Sequence, residues 1–380
     1  MRAVARRPVT ALFAPPVQAP GHYHLIDAMR GVAALVIIFW HYQHFFYAPG
    51  AERAIGGFRT QQPFYDELAW LYQHSKYAVQ LFWVISGFVF AHVYHGRGST
   101  TRSFVVNRVA RLYPLHLLTL LIVAALQAVA QAHFGTSLVY HDNSLGNFLL
   151  HLGLASNWWP TVVYSFNAPI WSVSIEILVY GLFWLSLPFL FRLGVFGPLL
   201  LAGLSIAACF GQQAYILFMC TACFFGGAAI FALHAAGSWR LSVLTAVMLV
   251  LAGAIAWTDS LDVRRYLGVP LLGMALVLVA ALLEPHLRSG ALRRSRWLGD
   301  ASYGIYLWHF PVQLVLLLVV PGLATDHAVA RSPIFLLVFL GIVVALAVLS
   351  YHLFERPARQ WLRSRLEAKP QTSGPSQAAP

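Results

Sequence analysis

Long apolar runs alternate with short polar joints over most of the chain, and this pattern dominates the sequence. A membrane-spanning helix needs about 20 mostly apolar residues, and Pro–Gly joints such as Pro49–Gly50 and Pro321–Gly322 separate several of the runs. The pattern predicts an all-α, polytopic transmembrane helix bundle of about ten helices, the fifth being short. The expected spans are 26–47, 77–95, 112–133, 170–192, 195–210, 213–234, 240–257, 267–284, 301–320 and 333–353.

Composition supports a membrane protein rather than a soluble one. Hydrophobic residues make up 59% of the chain and charged residues 10%, whereas roughly 25% of residues in soluble domains are charged. A soluble fold could not cover so much apolar surface, but a bilayer can. The formal net charge of +12 lies in short clusters between the apolar runs. We therefore expect contacts with membrane lipids and an anionic ligand, and no nucleic acid.

The distribution of cations predicts the orientation in the membrane, because cytoplasmic loops are richer in Lys and Arg than outer loops. If the N-terminus is cytoplasmic, the inner joints carry eighteen Lys and Arg residues and the outer joints six. Both termini are then cytoplasmic. The expected organisation is a cytoplasmic N-terminal segment (1–24) without a cleavable signal peptide, a membrane domain (25–357) without an appended soluble domain, and a cytoplasmic, largely disordered C-terminal tail (358–380).

Three polar residues of the first span are candidates for function, because polar side chains inside a bilayer are costly. Arg30 and Asp27 lie about 20° and 40° from His41 around a helix of roughly 100° per residue. The helical rise places His41 roughly 16 Å further along the axis than Arg30. One face therefore carries an acid, a guanidinium and an imidazole. The structural alternative is an arginine paired with Asp27 and a histidine bonded to a neighbouring helix.

Arg108 and Arg111 stand three residues apart just before the third span, at the expected cytoplasmic face. Guanidinium groups at this spacing share a helical face and could hold a phosphate or pyrophosphate with paired hydrogen bonds. The alternative is a pair of charges that only sets the topology or contacts lipid headgroups.

Two later spans also carry polar residues at helical spacing. In the fourth span Ser172, Glu176 and Tyr180 recur every four residues, so a carboxylate there could orient a histidine, accept a proton or pair with an arginine. A structural ion pair is the alternative. The ninth span carries three residues on one face that could bind a substrate or form a polar seam between helices: Ser302, Tyr306 and His309. No zinc-protease or serine-hydrolase motif is present, so we expect no metal.

Taken in order, these pieces resemble the acyltransferase family 3 of integral membrane proteins, which acylate cell-envelope polysaccharides and related acceptors. The similarity begins with an Asp-x-x-Arg-Gly start that His41 closes eleven residues after the arginine. It covers about residues 25–357, and one departure is Gln80, where many members carry an acidic residue. The similar segments are LIDAMRGVAALVIIFWH, LFWVISGF, RVARLYP, WSVSIEILVY, GDASYGIYLWH and Glu355–Arg356–Pro357.

The resemblance implies a membrane-embedded O-acyltransferase of the inner (plasma) membrane. It would move an acyl group, most often acetyl, from acyl-CoA to a hydroxyl of a cell-envelope polysaccharide, a lipid-linked sugar or a similar acceptor, with no bound cofactor. A histidine at the end of the first motif would act as general base or as the carrier of an acyl-histidine relay. The implied site places His41, Asp27 and Glu176 in catalysis, Arg30, Arg108 and Arg111 at the donor phosphates, and Trp171, Ser302, Tyr306 and His309 at the substrate.

A proton-coupled transporter or exporter of an envelope precursor is the main alternative function. Intramembrane His, Glu and Arg residues also build proton relays in transporters. The chain shows no inverted repeat and no Pro- or Gly-broken spans in matching halves, which argues against a transporter.

Overall fold

The computed structural model describes residues 21–159, 164–211, 215–287, 290 and 295–367. This part of the chain is helical and contains no strand. Nine of its helical segments are long and apolar enough to cross a membrane, and Phe196–Cys209 is a shorter apolar helix at the predicted fifth span. The prediction of a polytopic transmembrane helix bundle is therefore confirmed.

Fourteen α-helices, numbered in chain order, account for the described structure, with short 3-10 and π turns extending several of them. A 3-10 turn at Tyr42–Phe46 continues α1, and π turns at Arg264–Gly268 and Tyr351–Glu355 precede α11 and α14. The helices are α1 His24–His41, α2 Tyr65–His74, α3 Ala78–Tyr94, α4 Thr101–Phe134, α5 Leu145–Leu152, α6 Trp171–Leu190, α7 Phe196–Cys209, α8 Tyr215–Ala235, α9 Trp239–Thr258, α10 Leu261–Val263, α11 Val269–Leu283, α12 Arg296–Val319, α13 Pro333–Ser350 and α14 Arg356–Glu367.

Helix α4 begins earlier than the hydrophobic pattern suggests. The Thr100 side chain accepts a hydrogen bond from the backbone N–H of Ser103 and caps a helix of 34 residues. Arg108 and Arg111 are therefore not in a segment that precedes the helix but lie in its second and third turns. Apolar content alone places the start too late, because it cannot register a polar first turn.

The two long connections and the C-terminal region are more ordered than predicted. Helix α2 lies in the first connection and the short helix α5 in the second. Residues 358–367, expected in a disordered tail, belong to the amphipathic helix α14, and Arg102 Nε donates to the carbonyl of Leu366 at 2.8 Å. The predictions for residues 1–20 and 368–380 lie outside the described residues.

Glycines allow two pairs of helices to approach closely and fix the centre of the bundle. A Cβ at Gly87 of α3 would overlap the Phe224 carbonyl oxygen of α8, and one at Gly227 would overlap the carbonyl oxygen of Val84. Small residues at such crossings let two backbones touch inside a membrane. Helix α3 is therefore locked against α8.

Gly87→Ala should destabilise the protein, because the new methyl group would force two backbones apart. Overpacking of a well-packed core costs typically about 1–3 kcal/mol, and here the obstacle is backbone rather than a movable side chain. Thermal unfolding of the detergent-solubilised protein measures the effect. Gly341→Ala is the matched control, since a Cβ at this position of α13 meets no atom within 4 Å. Equal unfolding temperatures for the two variants would contradict this account of the crossing.

A second crossing brings the first motif of the chain against a distant one. A Cβ at Gly31 of α1 would strike the Leu298 side chain, and one at Gly299 would lie 2.7 Å from the carbonyl oxygen of Asp27. The contact positions Arg30 directly beside α12. The Asp-x-x-Arg-Gly motif and the segment that begins at Gly299 therefore form one structural unit.

The helices place two functional ends at opposite sides of the bundle. Tyr47, Tyr140 and Arg265 come from three different joints and meet around one cavity, at what we call the histidine end. At the other end, the arginine end, the Glu284 carboxylate accepts the backbone N–H groups of His24 and Leu25 at 3.0 and 2.8 Å and caps α1. The charge asymmetry of the sequence predicts that the arginine end is cytoplasmic.

Reporter fusions test this orientation. Fusions after Leu138 and Asp259 should report an extracytoplasmic position, and fusions after Ser99 and Arg294 a cytoplasmic one, because positive charge is retained on the cytoplasmic side. Alkaline phosphatase and green fluorescent protein activities provide the two readouts. Reversal at two or more of the four sites would refute both the orientation and the number of crossings.

Candidate active site

A cavity of about 180 Å³ lies between α1, α3, α4, α6 and α12, and we call it the arginine cavity. All three arginines singled out from the sequence line it, together with the three residues spaced along the fourth span and two from the ninth. The polar and charged residues around it are Arg30, Ser86, Arg108, Arg111, Ser172, Glu176, Tyr180, Ser302, Tyr303 and Tyr306.

Arg30 is held in place by its own hydrogen bonds. Its guanidinium donates to Ser302 Oγ at 3.0 Å and to the Gly299 carbonyl at 2.6 Å, and it lies 3.5 Å from the Asp27 carboxylate. Asp27 also pairs with His22 at 2.6 Å. The hydrogen bond to Asp27 raises the pKa of the His22 imidazole above its ordinary value. Arg30 is therefore paired with Asp27, as the structural alternative expects, and it also lines the cavity, where it could contact a ligand.

Arg108 and Arg111 are much less satisfied. Arg108 stacks over the Phe90 ring with its guanidinium carbon 4.6 Å from the centroid, and its buried Nε has no hydrogen-bond partner among the described residues. Within the same residues neither arginine forms a salt bridge. Both side chains are half-buried in a cavity with three guanidinium groups, which favours an anion with several oxygen atoms there.

Glu176 is the acidic group of the arginine cavity. It is 7% exposed, faces the hydroxyls of Ser86 and Tyr180, and lies within electrostatic range of Arg108. One carboxylate oxygen, Oε1, has no hydrogen-bond partner among the described residues. Glu176 is thus a single carboxyl group beside three arginines in the lining of this cavity.

A second cavity, of about 450 Å³, lies at the histidine end, and we call it the histidine cavity. Its size falls within the range of small-molecule binding sites, roughly 300–1,000 Å³. The connection between α4 and α6 covers part of it, contributing Tyr140 and Tyr164. Its main polar and aromatic residues are Trp40, His41, Gln43, His44, Tyr47, Glu52, Lys76, Tyr77, Gln80, Tyr140, Tyr164, Trp171 and Arg265.

The ring of His41 is oriented so that one nitrogen is available. Nδ1 lies 3.1 Å from the Ile37 carbonyl, four residues earlier on α1. Since a carbonyl oxygen only accepts, Nδ1 must carry the proton, and the neutral ring then has its lone pair on Nε2. Nε2 makes no hydrogen bond to any described residue, and His41 lines the histidine cavity. This geometry suits a base that takes a proton from a ligand.

His44 is fully engaged, in contrast to His41. Its Nδ1 lies 3.0 Å from Gln313 Oε1, and its Nε2 lies 3.3 Å from the Tyr140 hydroxyl. The Gln313 amide also donates to the backbone carbonyl of His41 at 2.8 Å. Burial raises the pKa of the Tyr140 phenol well above its usual value, so the phenol stays protonated and donates to His44. This network fixes the end of α1 that carries His41.

His309 packs directly behind His41. The two ring centroids are 4.7 Å apart, and His309 is fully buried. Neither of its ring nitrogens makes a hydrogen bond of ordinary geometry within the described chain, and the residue lines neither cavity. The three clustered histidines do not form a metal-holding group among the residues described. A direct substrate contact by His309 therefore requires a rearrangement, whereas support of the His41 ring does not.

Tyr306 links the linings of the two cavities, and we call this residue with its contacts the partition. The Tyr306 hydroxyl donates to the carbonyl of Pro169 at 2.6 Å and lies 2.8 Å from Ser172 Oγ. Trp83 and Trp171 pack edge to face beside it, with centroids 5.9 Å apart. Ser172 and Tyr306 face the arginine cavity, whereas Trp171 faces the histidine cavity. The expected substrate residues are thus divided between the two sides.

Asp27 does not lie beside His41, although both share a face of α1. Fourteen residues separate them, which is roughly 21 Å along a helix axis. The Asp27 carboxylate is committed to His22 and Arg30 instead. The angular coincidence in the sequence was correct, but the axial distance rules out direct stabilisation of a His41 imidazolium by Asp27. In this geometry Asp27 supports Arg30.

Sequence reasoning missed two residues of the histidine end, Gln313 and Tyr140. Gln313 follows His309 by four residues inside an apolar span, so its polarity was an available signal. Tyr140 lies in a long connection, and nothing in its neighbouring residues indicates that it reaches His44.

Relatives of the chain cover only parts of it. YrhL of Bacillus subtilis (strain 168), a candidate peptidoglycan O-acetyltransferase by name, is 40% identical over 90 residues, which are 22% of this chain and 13% of YrhL. Protein 2 in the picA locus of Rhizobium radiobacter is 37% identical over 28% of this chain and 46% of its own length. Acyltransferase MdmB of Streptomyces mycarofaciens is 34% identical over 30% of this chain and 28% of its own length.

The chain therefore spans less than half the length of each of these relatives. No solved structure matches it. The profile of acyltransferase family 3, described as an acyltransferase domain, matches residues 23–352 and so covers both cavities and every motif above except Glu355–Arg356–Pro357. This chain belongs to acyltransferase family 3, and the described part of it carries nine helical segments able to cross a membrane.

Proposed function

We propose that the protein is an O-acyltransferase of the plasma membrane that moves an acyl group, preferentially acetyl, from acyl-CoA to a hydroxyl of a cell-envelope glycan or a lipid-linked sugar. The observation that carries the proposal is the pairing of two cavities. One is lined by three arginines, of which Arg108 and Arg111 form no salt bridge among the described residues, and the other by His41, whose Nε2 has no hydrogen-bond partner there. Tyr306 contacts residues of both linings.

The donor belongs in the arginine cavity for electrostatic reasons. Acyl-CoA consists of a phosphorylated nucleotide and a long, uncharged arm that ends at the thioester. Arg108 and Arg111 would bind the phosphates with charge-assisted hydrogen bonds, and Arg30, fixed by Ser302 and Gly299, would complete the cluster. The uncharged arm of acyl-CoA would then extend past Tyr306 towards His41.

The chemistry at His41 follows from its tautomer. Nε2 would accept the proton of the acceptor hydroxyl as the hydroxyl oxygen attacks the thioester carbonyl carbon. The carbon–sulfur bond then breaks, and the released thiolate takes up a proton as free CoA. The proton on Nδ1 stays on that nitrogen and is donated in a hydrogen bond to the Ile37 carbonyl, which helps to hold the imidazolium in place.

A relay through an acyl-histidine is the second route that the geometry allows. Nε2 of His41 would attack the thioester carbonyl carbon, so that a carbon–nitrogen bond forms, the carbon–sulfur bond breaks and the CoA thiolate leaves and takes up a proton. The acceptor oxygen would then attack the same carbon, so that a carbon–oxygen bond forms, the carbon–nitrogen bond breaks and the hydroxyl proton is released to solvent. The partition favours this order, because CoA would stay on the arginine side while the acceptor binds on the histidine side. Both routes require a free lone pair on Nε2 of His41.

An assay with the purified protein tests the proposal and separates it from transport. Protein in detergent micelles is mixed with acetyl-CoA and an envelope extract from cells that lack it, and free thiol is measured together with acetyl groups on the extract. We expect both to rise in equal amounts. A transporter would release no thiol, so an absence of thioester turnover with the folded protein would refute the function.

A further inference from the structure

Two cations without acidic partners line the histidine cavity. Lys76 and Arg265 come from different joints of the chain yet both face this cavity, and Lys76 lies within electrostatic range of Arg265 and Arg59. Like charges repel, so their convergence is unfavourable unless an anion lies between them. The outer joints hold only six cations by the predicted topology, which makes this concentration at one cavity notable.

Lys76 is held by two aromatic rings of the cavity that His41 also lines. Its ammonium group lies 4.8 Å from the centroid of Trp40 and 5.3 Å from that of Tyr77. Trp40 immediately precedes His41 on α1. Cation–π contacts of this kind orient the ammonium without neutralising its charge. The charge is therefore kept at the wall of the cavity that His41 lines.

The two consecutive arginines Arg264 and Arg265 have different surroundings, and Arg265 faces the cavity. The π turn at Arg264–Gly268 places two arginines in succession. Arg264 donates to the carbonyl of Trp257 at 2.7 Å and stacks over the ring of the same residue, whereas Arg265 lines the cavity. Single π turns within helices are frequent at functional sites.

The one acidic residue of the cavity does not balance these charges. Glu52 is exposed and forms no salt bridge with Lys76 or Arg265 among the described residues. Gln80 also lines the cavity, is 4% exposed, and has an Oε1 atom without a hydrogen-bond donor in the described part of the protein. The cavity thus offers two cations and one unused acceptor atom.

We propose that the histidine cavity selects acceptors that carry an anionic group, a carboxylate or a phosphate, beside the hydroxyl to be acylated. Lys76 and Arg265 hold the anionic group, and Gln80 Oε1 accepts a hydrogen bond from a second hydroxyl. The aromatic walls flank the sugar ring, and the reacting hydroxyl lies at Nε2 of His41. This inference rests on the proposed function, because it names the acceptor class for the same cavity.

The experiment offers the enzyme a choice of acceptors. An envelope extract from cells that lack the protein is divided by anion exchange into an anionic and a neutral pool, and organic extraction then separates lipid-linked phosphates from polymeric carboxylates. Purified protein in detergent micelles transfers radiolabelled acetyl groups from acetyl-CoA. We expect the label in an anionic pool, and the extraction shows whether its charge is a phosphate or a carboxylate.

Variants of Lys76 and Arg265 test whether these two residues select the anionic acceptor. Lys76→Gln and Arg265→Gln should each lower labelling of the anionic pool about ten- to a hundred-fold at limiting acceptor, the effect of losing one charge-assisted hydrogen bond. Arg331→Gln is the matched control, because Arg331 is an exposed arginine of the same end that does not line the cavity. Acetyl-CoA binding and thermal unfolding show that the variants are folded.

Gln80→Glu provides a test that removes no cation. The added carboxylate should lower labelling of the anionic pool more than that of any neutral acceptor.

Predominant labelling of the neutral pool, or unchanged anionic labelling in both cation variants, would overturn the inference and leave the proposed function intact. Cations that only hold phospholipid headgroups would instead lower the unfolding temperature without changing the distribution of label. No label in any pool would refute the proposed function itself.

Discussion

His41→Ala should abolish acyl transfer while the protein still accumulates and inserts. The variant loses Nε2, the one imidazole nitrogen of His41 that is free of internal hydrogen bonds and directed to a cavity. Loss of a general base costs about 10²–10⁴-fold in rate, and loss of a relay nucleophile should cost at least as much. Acyl transfer to envelope glycan, normalised to the amount of membrane protein, measures the effect.

His44→Ala is the comparison that makes this result specific. His44 lies in the same cavity, and its ring centroid is 5.2 Å from that of His41. Both of its nitrogens are already bonded, to Gln313 and Tyr140, so it has no lone pair for an acceptor. We expect a much milder loss, through loosening of the network that fixes His41. If His41→Ala keeps a third or more of normal transfer, His41 is a structural histidine and the mechanism is wrong.

The elements of the arginine cavity were largely predictable from the sequence. Helical periodicity placed Ser172, Glu176 and Tyr180 on one face, and all three line the cavity. Such predictions succeed because residues within one helix have a fixed geometry. The contact of Arg30 with Ser302 joins two of the motifs, but its existence depends on the Gly31 and Gly299 crossing, which no single helix encodes.

The histidine cavity shows what periodicity cannot provide. It is assembled from joints, and the positions of Lys76, Tyr140 and Arg265 depend on how distant helices pack. The sequence therefore assigned the cations of these joints only to membrane topology. The same limit explains the prediction for Asp27, where the angle around α1 was correct and the distance along it was decisive.

The separation into two cavities also changes how the predicted substrate residues are interpreted. Trp171 shares the histidine cavity with His41, whereas Ser302 and Tyr306 face the donor side in our proposal. A face shared by Ser302, Tyr306 and His309 on an isolated helix does not form one surface in the bundle, because Ser302 and Tyr306 line the arginine cavity whereas His309 lines neither cavity. Their assignment to donor or acceptor thus depends on tertiary structure.

Arg108→Ala and Arg111→Ala should each weaken acyl-CoA binding about ten- to a hundred-fold. The estimate follows from one charge-assisted phosphate contact, worth about 1.5–3 kcal/mol. Arg→Lys should rescue only partly, because an ammonium cannot reproduce the paired donors of a guanidinium. Titration of the purified protein with acetyl-CoA, followed by calorimetry, measures the affinity directly and does not depend on turnover.

The matched control for these variants is Arg102→Ala. Arg102 lies one to three turns earlier on α4, at the same end, but it contacts the carbonyl of Leu366 and does not line the arginine cavity. Its removal changes the charge of that end equally and should leave donor affinity unchanged. Because Arg108 has a buried Nε with no partner among the described residues, a donor phosphate would supply the missing hydrogen bond. Donor affinity that is the same in Arg108→Ala, Arg111→Ala and Arg102→Ala would show that all three charges serve only topology, and the donor would then have to bind elsewhere.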